Sequence, residues 1–161
     1  MKRNLKKIIG ILMIILAIGC AAYIGYSEYQ KKQNADVYTR VQKEVKDNKK
    51  KLDKKNDGET EQEYVSPVDF TSLQQSNADI YAWIEIPETS INYPIVQAAD
   101  NTTYLHRTFE GKDSFIGAIF LDAGCEPDFS SENSIVYGHN LKNGQMFGML
   151  KKHYDTEYNP D

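Results

Sequence analysis

Residues Ile8 to Ser27 run for twenty positions without a charged side chain, directly after Lys2, Arg3, Lys6 and Lys7. No other feature constrains the chain as strongly. As a helix the run is about 30 Å long, the thickness of a bilayer's hydrocarbon core. Basic residues before it and a long polar region after it place the N-terminus inside. Residues 1–7 then read as a cytoplasmic tail, 8–27 as a transmembrane anchor, and the remainder as the extracytoplasmic part of a single-pass membrane protein. Two other readings stay open. "AIGC", ending at Cys20, loosely resembles a lipoprotein cleavage box, and a basic start before an apolar run also opens a cleaved secretory signal. The apolar run continues through "AAYIGY" past the cysteine, which suits a spanning helix better.

Charge divides the chain in two. Residues 1–63 hold 14 Lys and Arg against 9 Asp and Glu, while 64–161 hold 5 against 14, so the parts carry about +5 and −9. An acidic distal half argues against nucleic acid, whose phosphates require clustered Lys and Arg on the binding face. The only cysteines, Cys20 and Cys125, fall in the apolar run and the distal half, so no disulfide can form within the distal half. No Cys and His set has zinc-ligand spacing. Neither a metal nor another cofactor is expected.

Residues 28–63 read as a charged helical stalk and linker. The segment is rich in lysine and free of proline, and its only aromatics are Tyr29 and Tyr38. Tyr38, Val41, Val45 and Leu52 fall on a heptad seam with Asn48 in the missing position, which fits either a solvated helix or, less well, a coiled-coil pair. "KKNDGETEQE" then breaks the helical pattern at Asn56, Asp57 and Gly58. A folded domain is expected over 64–161.

That domain opens with a short helix, with Asp69 as N-cap, Phe70 and Leu73 as its apolar edge and Asn77 as its stop. The periodicity then shortens. Trp83, Ile84 and Ile86, then Ile91, Tyr93, Ile95 and Val96, form two β-favouring runs across the turn "PETS". "SFIGAIFLD" and "NSIVYGHN" add two more, and "GQMFGMLKKHYD" reads as a helix with Met146, Phe147, Leu150 and Tyr154 on one side. The fold class is mainly β, a sheet or barrel with flanking helices.

His139 follows an apolar strand and a glycine able to bend the backbone. At a strand end an imidazole can exchange protons or serve as a structural hydrogen bonder, and its position alone allows both. His106 lies in a loop after "TTYL", and His153 ends the last helical pattern, where a cation complements the dipole.

The stretches "NADIYAWIEIPETSINYPIVQAADNTTYL", "GAIFLD" and above all "NSIVYGHNLKNGQMFGML" resemble the class B sortases, membrane-anchored cysteine transpeptidases of Gram-positive bacteria. The resemblance covers about Asp69 to Tyr154. It implies a β-barrel domain whose active site joins a histidine, a cysteine and an arginine. The thiolate attacks a sorting-signal peptide and the histidine protonates the leaving amine. The arginine steadies the oxyanion, and an amine of a peptidoglycan precursor or pilin resolves the thioester. Sorted proteins of this class carry an Asn-Pro-x-Thr-type signal, often in haem-iron capture, or are pilins.

On this mapping His139 is the family histidine, and Asn101, Leu105 and Tyr137 correspond to substrate-groove positions. The "Thr-x-Thr-Cys" strand end and the later arginine of the family have no counterpart in these 161 residues. Cys125 lies in the acidic loop "DAGCEPDF", where negative neighbours oppose a thiolate, and Arg107 does not match the family arginine. The expectation is therefore the N-terminal portion of a sortase domain that does not transpeptidate by itself. The alternatives are a non-enzymatic, membrane-tethered binding module and a lipoprotein interaction domain. With strand edges and an apolar face uncovered, residues 64–161 alone should be marginally stable.

Overall fold

The computed structural model describes residues 2–55 and 65–150. The break at Asn56–Gly58, His153 and Tyr154 lie outside the described residues. A single helix, α1, runs from Lys2 to Lys55, 54 residues and about 80 Å. It contains no proline, so nothing interrupts its hydrogen-bond ladder. Its first half carries exposed apolar side chains from Ile8 to Tyr26 and is long and apolar enough to cross a membrane by length and composition.

The second short helix, α2 (Phe70–Ser76), forms as its capping residues dictate. Asp69 accepts from the Ser72 N–H at 3.0 Å, and the Asn77 N–H closes the last turn on the Leu73 carbonyl at 3.2 Å. Four strands follow: β1 (Ile80–Glu85), β2 (Asn92–Val96), β3 (Ile119–Leu121) and β4 (Val136–Tyr137). They form one sheet in the order β1-β2-β3-β4, antiparallel between β1 and β2, parallel between β2 and β3, and antiparallel between β3 and β4. The parallel step requires a long crossover, which residues 97–118 provide with one 3-10 turn at Thr103–Leu105. Among the described residues the sheet stays open, so the expected barrel is present only as a four-stranded sheet with flanking helices.

The core lies between this sheet and α1. Ile80, Ile91, Ile95, Val96, Ile119, Phe120 and Leu121 are buried, as Val/Ile-rich strands covered on both faces would be. Tyr38, Val41 and Val45 of α1 are buried with them, Tyr38 to 4% exposure. The Tyr38 ring meets Tyr93 and Phe109 edge-on at 5.6 and 5.1 Å. Its hydroxyl donates to the Gly117 carbonyl at 2.9 Å and accepts from the Phe109 N–H at 3.3 Å. Asn48, the polar member of the seam, donates to the Pro67 carbonyl at 3.3 Å.

The stalk reading of residues 28–55 is thereby corrected. At Tyr38, Val41 and Val45 the heptad seam is buried within the chain's own domain. It is the face that α1 lays on its own domain, and the packed unit takes in α1 from Asn34 onward. A seam in the sequence states that one helix face is apolar, but leaves open what covers it.

The segment after His139 is also corrected. Met146 has φ of 53°, outside helical space, and pairs with Asn140 as an isolated antiparallel bridge. Residues 140–146 are a closed loop, and helical structure begins only at Gly148.

Candidate active site

His139 stands two residues past β4, half-buried, with Nε2 at 2.9 Å from the Leu105 carbonyl. A carbonyl oxygen can only accept, so Nε2 carries the proton and Nδ1 remains as the ring position for proton exchange. The ring is wedged as well as bonded. A Cβ at Gly117 would stand 2.9 Å from His139 Cδ2 and 2.8 Å from the Tyr104 and Leu105 carbonyls, and Gly117 has φ of 62°. Only glycine fits a left-handed residue beneath an imidazole.

Gly138 serves differently from what its place before the histidine suggests. Its φ is not positive, so it is not needed for a bend. A side chain there would collide with Ile119 and would meet the Phe147 ring at 2.8 Å. Phe147 thus packs on the bare backbone just before His139, and its N–H donates to the His139 carbonyl at 3.0 Å. Met146 fills the core, its N–H bonded to the Tyr93 hydroxyl at 3.2 Å. The spacing from "YGH" to "MF" is therefore a packing device: the loop returns to clamp the histidine's backbone.

Asn101 and Leu105 are held by one turn. Asp100 accepts from the backbone N–H groups of Thr102 and Thr103, both at 2.7 Å, and from their hydroxyls at 2.8 and 2.9 Å. These bonds, the Thr103 N–H foremost, hold its carboxyl well below the usual carboxylate range. From that turn the Asn101 amide donates to Asp122 Oδ2 at 2.7 Å and accepts from the Ala123 N–H at 2.8 Å. Tyr137 donates to the same Asp122 oxygen at 3.0 Å while its ring stacks at a tilt on Phe120, 5.2 Å away. The Gly124 N–H at 2.8 Å, then the Tyr137 hydroxyl, lower the Asp122 carboxyl, and the hydrogen bond that this hydroxyl gives to Asp122 raises the Tyr137 phenol.

The four residues expected at the site thus fall into two linked pairs, His139 with Leu105 and Asn101 with Tyr137. The second pair meets on Asp122, to which the sequence pattern assigns no role. Its place at the end of "IFLD", one residue past β3, was the available signal. Cys125 Sγ lies 3.6 Å from the Asn133 carbonyl, and Arg107 lies 3.9 Å from Asp113. Among the described residues no cluster of His, Cys, Asp or Glu could hold a metal ion.

No family model matches the sequence. Sortase B of Staphylococcus aureus is 33% identical over 158 residues, 98% of this chain and 60% of that protein. Sortase B of Listeria monocytogenes is 39% identical over 90 residues, 56% of this chain and 37% of that protein. The crystal structure of sortase B from Bacillus anthracis in complex with AAEK1 aligns with a TM-score of 0.62 at 37% identity, covering 81% of this chain and 57% of that one. The Staphylococcus aureus sortase B–substrate complex aligns with a TM-score of 0.65 at 32% identity, covering 81% and 56%. The chain thus spans 37% and 60% of the lengths of these two curated relatives. Shared sequence and shared backbone together support a class B sortase over the part of that length that the chain spans.

Proposed function

We propose that this chain carries the proton-donating arm of a sortase-type transpeptidation. In that reaction a cysteine thiolate adds to a peptide carbonyl, forming a C–S bond. The tetrahedral intermediate then collapses by breaking the C–N bond, and His139 gives the departing amine its proton. An acceptor amine, from a peptidoglycan precursor or a pilin, next attacks the thioester, returns a proton to His139 Nδ1 and releases the thiolate. The observation that supports this role is the Nε2–H bond to the Leu105 carbonyl, which fixes the ring and leaves Nδ1 for exchange. Asn101, Leu105 and Tyr137 would line the path of a sorting-signal peptide of a surface protein or pilin, with Asp122 as a positioning residue between Asn101 and Tyr137.

The thiolate and the oxyanion-binding arginine are not assigned to Cys125 or Arg107. Cys125 sits in the β3–β4 loop against a carbonyl, and Arg107 faces a carboxylate. These 161 residues are accordingly expected to leave a fluorogenic Asn-Pro-x-Thr peptide uncleaved. Cleavage by them that is lost on His139→Ala would overturn that assignment. In a protein that joins this segment to a sortase cysteine and arginine, His139→Ala should lower kcat by about 10²- to 10⁴-fold, and an unchanged kcat refutes the proton-donor role. Residues 8–27 would anchor the protein in the membrane with its N-terminus in the cytoplasm and its domain outside.

A further inference from the structure

Helix α1 enters the domain very soon after the apolar run ends. At 1.5 Å per residue, Glu28 lies at the edge of the hydrocarbon and Lys32 about 8 Å above Ser27. A headgroup layer is roughly 5–8 Å thick on each side of a bilayer. The outer end of the run is marked independently by Tyr23, Tyr26 and Tyr29, all exposed, an aromatic belt of the kind found at membrane interfaces.

The domain reaches down to the same level. Glu28 and Lys32 line one cleft with Phe115, Leu141 and Lys142. The segment carrying Phe115 is pinned to α1 on both sides. The Asn34 amide donates to the Ser114 hydroxyl at 2.8 Å in a buried contact, and the Tyr38 hydroxyl donates to the Gly117 carbonyl at 2.9 Å. The depth of Phe115 is therefore set by the register of α1. Phe115 is 48% exposed and shares that cleft with Glu28 and Lys32, which brings an aromatic ring beside the headgroup layer. Lys32 and Lys142 bring two ammonium groups to the same rim, at the level of lipid phosphates.

We infer that the face formed by Phe115, Leu141, Lys142 and Lys32 rests on the headgroup layer of the bilayer that α1 crosses. The inference depends on residues 8–27 spanning that bilayer. It gives the domain one orientation, with the Gly117 wedge and His139 held above the surface by the next turns of α1.

The test uses the intact chain reconstituted in liposomes, with Cys20→Ser and Cys125→Ser and one new cysteine bearing a nitrobenzoxadiazole fluorophore. Emission of the sole tryptophan, Trp83, confirms folding. Leu16→Cys reads the anchor against acyl-chain nitroxide lipid. Phe115→Cys reads the inferred contact against headgroup nitroxide lipid. Asp47→Cys, about 30 Å beyond Ser27 along α1, is the distant reference. Headgroup quenching at position 115 should exceed that at 47 at least about twofold, with position 16 quenched from the acyl chains. Quenching at 16 but not at 115 leaves the anchor standing and overturns the contact. Equal quenching at 115 and 47 overturns it too, because the domain then lies on the membrane by another face. No quenching at 16 removes the anchor, and the contact with it.

Discussion

Two glycines govern how the histidine is presented, and a carboxylate joins Asn101 to Tyr137. Gly117→Ala forces a left-handed residue to carry a Cβ against His139 and two carbonyls. It should destabilise the chain by about 2 kcal/mol or more in urea unfolding and shift the His139 ring resonances. Gly138→Ala should displace Phe147 and loosen the 140–146 loop, seen as faster amide exchange at Phe147. The "YGH" and "MF" stretches were legible as a pattern, but their reason was not. A glycine before a histidine reads as a hinge until the Phe147 ring is seen lying on it. Asp122 has a pH signature. Its folded carboxyl sits below its ordinary range, so the stability it lends is present above about pH 4 and is lost as acid protonates it through the depressed value. An acid titration should therefore release the Gly124 amide, and Asp122→Asn should flatten that titration. A Gly124 amide that titrates unchanged in Asp122→Asn would contradict this.

At the level of elements, α1 is half exposed apolar helix and half core helix. Tyr38→Ala removes a buried ring from the Tyr93–Phe109 contact and should cost about 3–5 kcal/mol, whereas Tyr38→Phe leaves the Gly117 carbonyl and the Phe109 N–H short of a partner for about 1–2 kcal/mol. Urea midpoints in mild detergent separate the two, and equal losses would mean that the hydroxyl contributes nothing. The exposed Lys49–Glu85 pair at 3.2 Å should matter by less than about 1 kcal/mol. The strands and α2 were readable because their apolar alternation and the Asp69 and Asn77 caps are local signals. The seam at Tyr38, Val41 and Val45 was readable only as a stripe. The partner of Tyr38, the Tyr93 and Phe109 rings, lies more than 50 residues away in the chain.

For the molecule as a whole, tyrosines tie α1, β2 and the crossover together, and burial foremost raises the pKa of Tyr38, Tyr93 and Tyr104, the last pushed up to about 12. Unfolded tyrosine titrates near 10. The folded chain thus holds these protons more tightly. Stability should be level below pH 10 and fall from there toward pH 12, which urea unfolding at pH 8 and pH 11 would measure. A fragment of residues 64–161 lacks the α1 cover, and should melt without a cooperative transition. The sequence by itself determined the apolar run, the short helix, the four strands and the residues from "YGH" to "MF", because each is a pattern within a few residues of chain. Only the tertiary structure decided that α1 caps the sheet, that Asp122 gathers Asn101 and Tyr137, and that Leu105 and Gly117 hold His139. Those contacts join residues 15 to 80 positions apart, and no local periodicity records which distant surface a buried face will meet.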